Sequence, residues 1–177
     1  YSSIVAMFED SAAKYADEIA YQCFGQAMTY AQLEQQSRAF AAFLQTELGM
    51  RRGDRVALMC PNIFAFPVAM LGILRAGCCQ VNVNPLYTPR ELEHQLNDSG
   101  AETIVIFSGS TSVLGEIVGK TPIKTVVTVD LGDGVGLSIP SPAVDARLTN
   151  TIGMGDALAK GGKLQLSPVE LNGEDLL

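Results

Sequence analysis

The chain of 177 residues contains no tryptophan, only one histidine and few positive charges. Twelve Lys and Arg stand against nineteen Asp and Glu, which gives a formal net charge of −7. Nucleic-acid surfaces need clustered Lys and Arg to displace counterions, so this balance excludes a nucleic-acid partner. The histidine, His94, has no carboxylate or cysteine at ligand spacing, and we expect it to have a surface or packing role.

Cysteine is also sparse, and its four positions (Cys23, Cys60, Cys78 and Cys79) form no C-x-x-C pair. This excludes a zinc framework and a disulfide scaffold, and it favours free thiols in a reducing cytoplasm. Neither a G-x-S-x-G elbow nor a Ser-His-Asp order is present, and no pair of carboxylates is placed for catalysis. The residues therefore predict no catalytic group and no metal site within this chain.

Charge is nearly absent from the stretch Gly53–Leu92, where Arg75 is the only charged residue between positions 56 and 89. Its uncharged run over 56–74 is nineteen residues long, close to the ~20 apolar residues of a membrane-spanning helix. Prolines and an asparagine interrupt that run, and such breaks leave unpaired backbone groups in lipid. We therefore expect a buried core unit, with strand, helix and strand in succession.

Four apolar segments are predicted to be strands, at 55–59, 80–83, 103–107 and 125–130, with helices between them. Strands without charge on either face are typical of a parallel sheet covered on both sides. Strands that alternate with helices form right-handed βαβ units. The predicted fold class is α/β, with a doubly wound, mostly parallel sheet and helices on both faces.

Before the sheet, the pattern predicts a helix over 4–16, a hairpin around Gly25 and a long helix that begins after Thr29. Thr29 and Gln32 match a capping box, and Gly49 is predicted to end that helix as a left-handed cap. A second capping box, at Thr88–Glu91, is predicted to start the helix that Gly100 closes.

We expect three segments along the chain: an α/β subdomain over 1–130, an irregular Gly/Pro-rich connection over 131–163, and a return segment over 164–177. The connection is predicted to contain one short helix near 155–160. Residues 164–171 within the return segment are predicted to form a strand.

The glycine-rich sites of the chain lack the context of a phosphate loop. Gly132–Gly136 follows a strand, but the third glycine of a dinucleotide fingerprint is replaced by Leu137. These sites are predicted to be ordinary loops. Ser108–Ser112 lies where a strand gives way to a helix, a place where hydroxyls can hold an anion or cap the helix. We favour capping.

Several ordered blocks carry a family resemblance: GDRVA at 53–57, GILRAG at 72–77, VNVNPLYTPREL at 81–92 and NDSGA at 97–101. Together they closely resemble the amino-terminal part of acyl-CoA synthetases of the adenylate-forming superfamily, and in particular bacterial long-chain fatty-acid–CoA ligases. Thr29-Tyr30 and the final Glu-Asp-Leu-Leu fit the same pattern. The final segment resembles the lead-in to that family's ATP loop.

The resemblance implies a ligase that uses ATP, CoA and Mg²⁺. A fatty acid and ATP give an acyl-adenylate and pyrophosphate, and CoA then forms acyl-CoA with release of AMP. The family's phosphate loop, its Mg²⁺-binding Glu, its ribose-binding Asp and its mobile lysine do not occur in these residues. We therefore expect an inactive amino-terminal fragment with no bound cofactor.

The resemblance also implies that Tyr87, Thr88 and Arg90 lie near CoA, although capping alone explains Thr88. It implies a cytoplasmic enzyme, and it leaves open a homodimer and a peripheral contact with the inner membrane. Two other interpretations remain open. One is a fragment of an aryl- or amino-acid-activating enzyme of the same superfamily, and the other is a stand-alone α/β module for binding or dimerisation.

Overall fold

The computed structural model describes residues 1–175 of the chain, which form six α-helices, seven strands and two short 3₁₀ turns. In chain order they are α1 (Ile4–Lys14), β1 (Ile19–Cys23), β2 (Gln26–Thr29), α2 (Tyr30–Thr46), β3 (Arg55–Met59), α3 (Ala65–Arg75), β4 (Cys79–Asn82), α4 (Pro89–Ser99), β5 (Thr103–Phe107), α5 (Thr111–Ile117), β6 (Thr125–Val129), β7 (Ile152–Gly153) and α6 (Met154–Gly161).

These elements divide into two units, each built from separate stretches of the chain. Unit 1 comprises Tyr1–Asp54, Pro67–Cys79 and Ala157–Leu177, and unit 2 comprises Arg55–Phe66 and Gln80–Asp156. The three segments predicted from the sequence, with boundaries at residues 130 and 163, describe the order of the chain and not its compact units. That division therefore remains a prediction. No helix in the described part of the chain is long and apolar enough to cross a membrane.

Unit 1 begins with α1, the β1–β2 hairpin and α2, as the sequence predicts. The Thr29 capping box is confirmed, because the Thr29 amide donates to Gln32 Oε1 at 2.8 Å and the Gln32 amide donates to Thr29 Oγ1 at 3.2 Å. Gly49 has the expected left-handed φ of +65°, although the last helical residue of α2 is Thr46. The Met50 amide, just beyond the glycine, donates to the Leu44 carbonyl of α2 at 3.0 Å, so the left-handed turn closes the end of the helix.

The buried charge of unit 1 is Arg75, in the last turn of α3, where only 4% of the residue is exposed. Its Nη1 donates to the Glu34 carbonyl at 2.9 Å and to Ser37 Oγ at 3.0 Å. Its Nη2 donates to the carboxylates of Glu34 at 2.9 Å and Glu9 at 3.2 Å. The single charge of the apolar stretch thus ties α3 to α1 and α2 from inside the core.

Unit 2 is organised by a five-stranded sheet in the order β4-β3-β5-β6-β7. The pairings of β3 with β5, β5 with β6 and β6 with β7 are all parallel. The predicted α/β class with a doubly wound parallel sheet is confirmed. β7 is an addition, because a two-residue strand leaves no periodic pattern in a Gly/Pro-rich segment.

The strand order reverses between β3 and β5. After β3 the chain moves one way to β4, and it then crosses back to β5 and continues to β6 and β7. In open α/β sheets, ligands bind beyond the carboxyl ends of the strands near such a reversal. The residues that follow β3, β4 and β5 therefore lie at the edge where a site is expected.

The face of the sheet in unit 2 is covered by α4 and α5, whose Leu92, Leu96, Leu114 and Ile117 join the core around Ile104. Both ends of α4 form as predicted. Its capping box at Thr88 is present, and Gly100 ends it with a left-handed φ of +66°.

Two predictions for the rest of the chain meet different outcomes. The short helix predicted near 155–160 is confirmed as α6. The strand predicted over 164–171 is wrong, because residues 165–172 belong to no helix or strand. The alternation of polar and apolar residues there arises in an extended segment that lies at the surface, where none of the residues 162–175 is buried.

Candidate functional site

A cavity of about 680 Å³ opens at the carboxyl ends of β3 and β4 in unit 2. This volume is within the range of small-molecule sites. Three asparagines supply its side-chain amides, and aromatic and apolar groups form the remaining walls. The lining residues are Cys60, Pro61, Asn62, Phe66, Asn82, Val83, Asn84, Pro85, Leu86 and Tyr87.

The shape of this cavity follows from the Asn84-Pro85 segment after β4. Asn84 Oδ1 accepts a hydrogen bond from the Leu86 amide at 3.0 Å, and its carbonyl accepts one from the Tyr87 amide at 3.1 Å. An asparagine side chain that bonds two residues onward forms a tight turn, and the proline stiffens it. The turn leaves Leu86 88% exposed at the rim of the cavity.

Of the three residues expected near CoA, only Tyr87 lines the cavity. Tyr87 is half-buried and packs against the core of unit 2. The Thr88 hydroxyl is engaged by α4, because it donates to Glu91 Oε2 at 2.7 Å and accepts from the Glu91 amide at 3.4 Å. Arg90 is exposed in the first turn of α4, outside the residues that line the cavity.

Cys60 lines the cavity, but its thiol is in the protonated form, which is a poor nucleophile. Burial raises the pKa of its thiol to about 12, and the nearby negative charge of Asp133 adds to the effect. Thiolates are the reactive form, so this cysteine is inert near neutral pH. The pKa of Asp133 is itself raised, chiefly by burial, although its carboxylate accepts the Asp130 amide at 2.8 Å.

The loops singled out from the sequence are closed by hydrogen bonds of their own. A Cβ atom at Gly132 would lie 1.8 Å from the Leu137 carbonyl, and the Leu137 amide donates to Gly132 O at 3.1 Å. This loop closes on itself, as expected of an ordinary loop. The capping preferred for Ser108–Ser112 is wrong, because α5 has no side-chain cap at Ser110. Instead Thr111 Oγ1 donates to the Ser108 carbonyl at 2.6 Å.

The residues that line the cavity are suited to binding a ligand and include no charged group that could take part in catalysis. None of its ten lining residues is charged, so it offers hydrogen bonds and apolar contact without a counter-charge. Amide side chains can pair with the edge of a planar polar group, and the rings of Phe66 and Tyr87 can pack on its face. Residues 1–175 contain no group of three or more His, Cys, Asp or Glu that could hold a metal ion.

The sequence did not single out Asn62 and Asn82 as site residues, although both line the cavity. A signal was present, because Asn62 follows the buried residues 56–60 and Asn82 is the last residue of β4. In a parallel sheet the carboxyl ends of neighbouring strands meet at one edge, and polar side chains at those positions converge. Recognising the convergence requires knowing that β3 and β4 are neighbours.

Comparison with known proteins identifies a family. The family model described as AMP-binding enzyme matches residues 8–159. A long-chain-fatty-acid–CoA ligase of Escherichia coli O157:H7 is 48% identical over 99% of this chain, which corresponds to 33% of that ligase. The enzyme of the same name from Yersinia pestis is 55% identical over 75% of this chain and 24% of its own length. The chain thus spans a third or less of these curated relatives.

Solved structures agree on the fold. An anthranilate CoA ligase in complex with anthranoyl-AMP matches 99% of this chain and 31% of its own, with a TM-score of 0.81 and 19% identity. A long-chain-fatty-acid-CoA ligase from Archaeoglobus fulgidus matches 95% of this chain and 32% of its own, with a TM-score of 0.73 and 21% identity. At these identities, the likeness supports the architecture alone.

Proposed function

Because this chain belongs to the AMP-binding enzyme family, we propose that it is the amino-terminal part of a long-chain fatty-acid–CoA ligase. The longer protein would join a fatty acid to CoA at the expense of ATP, with AMP and pyrophosphate as products. The observation that carries the proposal is the 48% identity to a ligase of that name over nearly the whole chain.

Within that enzyme, the contribution of these residues is a scaffold and a binding surface. Thiol chemistry at Cys60 is suppressed by burial. Mg²⁺ would neutralise phosphate charge during adenylation, but the described residues hold no acidic cluster that fits it. We therefore propose that the adenylation chemistry lies in the part of the relatives that this chain does not match.

The activity test compares two proteins in one assay of fatty-acid-dependent pyrophosphate release. The longer gene product is expected to turn over with long-chain fatty acids, and the 177-residue chain alone is expected to release none. Turnover by the 177-residue chain would contradict the view that it lacks the chemistry. A clear preference of the longer protein for aromatic acids would instead support the aryl-activating interpretation.

We also propose that CoA passes close to Tyr87, Thr88 and Arg90, with its adenine end in the cavity. Tyr87 and Phe66 provide rings for packing, and the three asparagines provide amides for the edge of the base. Thr88 would act indirectly, because its hydroxyl is committed to Glu91. Arg90 is exposed and available for a phosphate.

The test of this surface is the Tyr87→Ala variant of the longer protein. Base–aromatic stacking contributes about 1–3 kcal/mol, so the KM for CoA is expected to rise by about 5- to 160-fold while the KM for ATP stays constant. Tyr21→Ala is the matched control, since Tyr21 is a partly exposed tyrosine of β1. Equal KM values for CoA in both variants would exclude Tyr87 from the CoA site without contradicting the ligase activity.

The location and assembly of the longer protein are further proposals. We propose a cytoplasmic enzyme, in keeping with the four free cysteines of the described residues. A homodimer and a peripheral contact with the inner membrane stay open, and flotation of the longer protein with lipid vesicles would test the contact.

A further inference from the structure

We propose that the segment Lys163–Asp175, here called the strap, opens and closes on unit 1 as a local event while the helices beneath it stay folded. The strap follows α6 and contains no helix or strand. None of its residues is buried, so no apolar anchor commits it to the core. Segments with few buried contacts open locally at a small fraction of the free energy of global unfolding.

One latch of the strap is the side-chain amide of Gln45, on the last turn of α2. Gln45 Nε2 donates to the Ser167 carbonyl at 3.1 Å, and Gln45 Oε1 accepts from the Ser167 amide at 3.0 Å. The glutamine thus satisfies both backbone groups of one residue, as a neighbouring strand would. A single half-buried side chain replaces the ladder of bonds that would hold a true strand in place.

The second latch is the ion pair between Arg52 and Asp175. Arg52 Nε and Nη2 donate to Asp175 Oδ1 at 2.9 and 2.5 Å, and about half of the arginine side chain is exposed. Between the two latches, Val169 approaches Gly77, where a Cβ atom would lie 2.8 Å from a Val169 methyl carbon. Glycine at this position permits the strap to lie close to the turn that follows α3.

The closed strap bounds a cavity of about 490 Å³ together with the start of α1. Residues 169–172 of the strap form one wall, and residues of the first turns of α1, such as Ala6 and Glu9, form the other. Opening the strap would remove one wall of this partly open cleft and leave a groove along α1. The latches therefore control access to the amino-terminal face of unit 1.

Site-resolved proteolysis of the 177-residue chain tests the proposal. A glutamate-specific protease cuts after Glu170, inside the strap, and when reclosing is fast its rate follows the population of the open form. Gln45→Ala removes two hydrogen bonds and is expected to raise cleavage at Glu170 about fivefold, whereas Arg52→Gln removes an exposed ion pair and is expected to raise it about twofold. Because both latches act on one opening event, the double variant should show about 10-fold.

Two controls match the chemistry of these variants. Gln35→Ala removes an exposed glutamine from the same helix, and Lys124→Gln removes an exposed ion pair of unit 2. Neither should change cleavage at Glu170. Raising the salt concentration from about 0.02 to 0.5 M screens the exposed ion pair, so it should speed cleavage of the unmodified chain but not of Arg52→Gln.

Three results would overturn the strap proposal. The first is cleavage at Glu170 that does not respond to either latch variant. The second is a rate in the unmodified chain equal to that of an unstructured peptide of the same sequence, which would mean that no closed form exists. The third is an equal rise of cleavage within α1 and α2, with loss of helical circular dichroism, which would make the strap part of one cooperative unit.

Discussion

Replacing Arg75 by methionine removes a buried charge while keeping most of the aliphatic stem that packs in unit 1. The side chain is 3% exposed, and its guanidinium contacts Glu34, Glu9 and Ser37 through four hydrogen bonds. Methionine leaves the Ser37 hydroxyl and the Glu34 carbonyl without this donor. It also leaves two carboxylates without their shared counter-charge.

The expected loss is about 3 kcal/mol in the free energy of unfolding. Removing one partner of a fully buried ion pair costs about 3–5 kcal/mol. The expected loss lies near the lower end of this range because the side chains of Glu34 and Glu9 are 27% and 51% exposed, so water can solvate both carboxylates once Arg75 is removed. For a protein of this size, the change corresponds to a melting temperature lower by about 6–12 °C.

The matched control is Arg38→Met, because Arg38 pairs with the same carboxylate of Glu34 at 2.9 Å but is 58% exposed. Exposed pairs of this kind contribute about 0.5 kcal/mol. Urea unfolding followed by circular dichroism measures both variants, since the chain has no tryptophan to report by fluorescence. Equal losses for the two variants would refute the argument that burial gives Arg75 its importance.

The same cluster predicts a pH dependence. Burial alone would raise the pKa of Glu34, but hydrogen bonds from Arg75 and Arg38 outweigh it, and the pKa is lowered from 4.5. A lowered pKa in the fold adds stability that is present above the ordinary pKa and is lost as the pH falls through the folded value. Below pH 4.5 the unmodified chain should therefore lose stability more steeply than Arg75→Met.

Three further predictions concern single groups and the surface. Ser108→Ala should leave the free energy of unfolding unchanged or raise it by up to about 1 kcal/mol, because the buried Ser108 hydroxyl has no partner in the structure. Ser37→Ala should lower it by about 1–2 kcal/mol, because the Ser37 hydroxyl accepts a hydrogen bond from Arg75. A loss at Ser108 equal to that at Ser37 would contradict this prediction. A thiol reagent at pH 8 should label the partly exposed Cys23 well before Cys60, and similar rates would show that burial does not hold the Cys60 thiol protonated. Sedimentation should detect self-association of the 177-residue chain because large apolar side chains are exposed, and a clean monomer would contradict it.

The parts of the fold that the sequence predicts are those with strong local signals. β3 and β5 occupy the predicted residues, and both threonine capping boxes form. The failures lie where non-local contacts decide the structure. Two residues become β7 because β6 lies beside them, and residues 164–171 fail to become a strand because a glutamine side chain satisfies Ser167 instead.

The candidate site was predictable only in part. Tyr87 was singled out and lines the cavity, whereas Asn62 and Asn82 were not singled out, although they do. Strand adjacency brings these asparagines to one edge, and a single sequence does not reveal which strands are neighbours. Arg75 was noted as a lone charge, but its carboxylate partners lie in elements 41 and 66 residues away in sequence.

Unit 1 is assembled from residues at both ends of the described chain, and this has a consequence for its synthesis. Its first stretch ends at Asp54, while its last begins at Ala157. At roughly 5–20 residues per second, a ribosome needs about 5–20 s to make the intervening 100 or so residues. During that interval α1, α2 and the hairpin emerge without α6, whose Gly161 packs against the backbone of Ala39. A chaperone that protects exposed apolar helices would therefore have its longest opportunity at the amino-terminal part of this nascent chain.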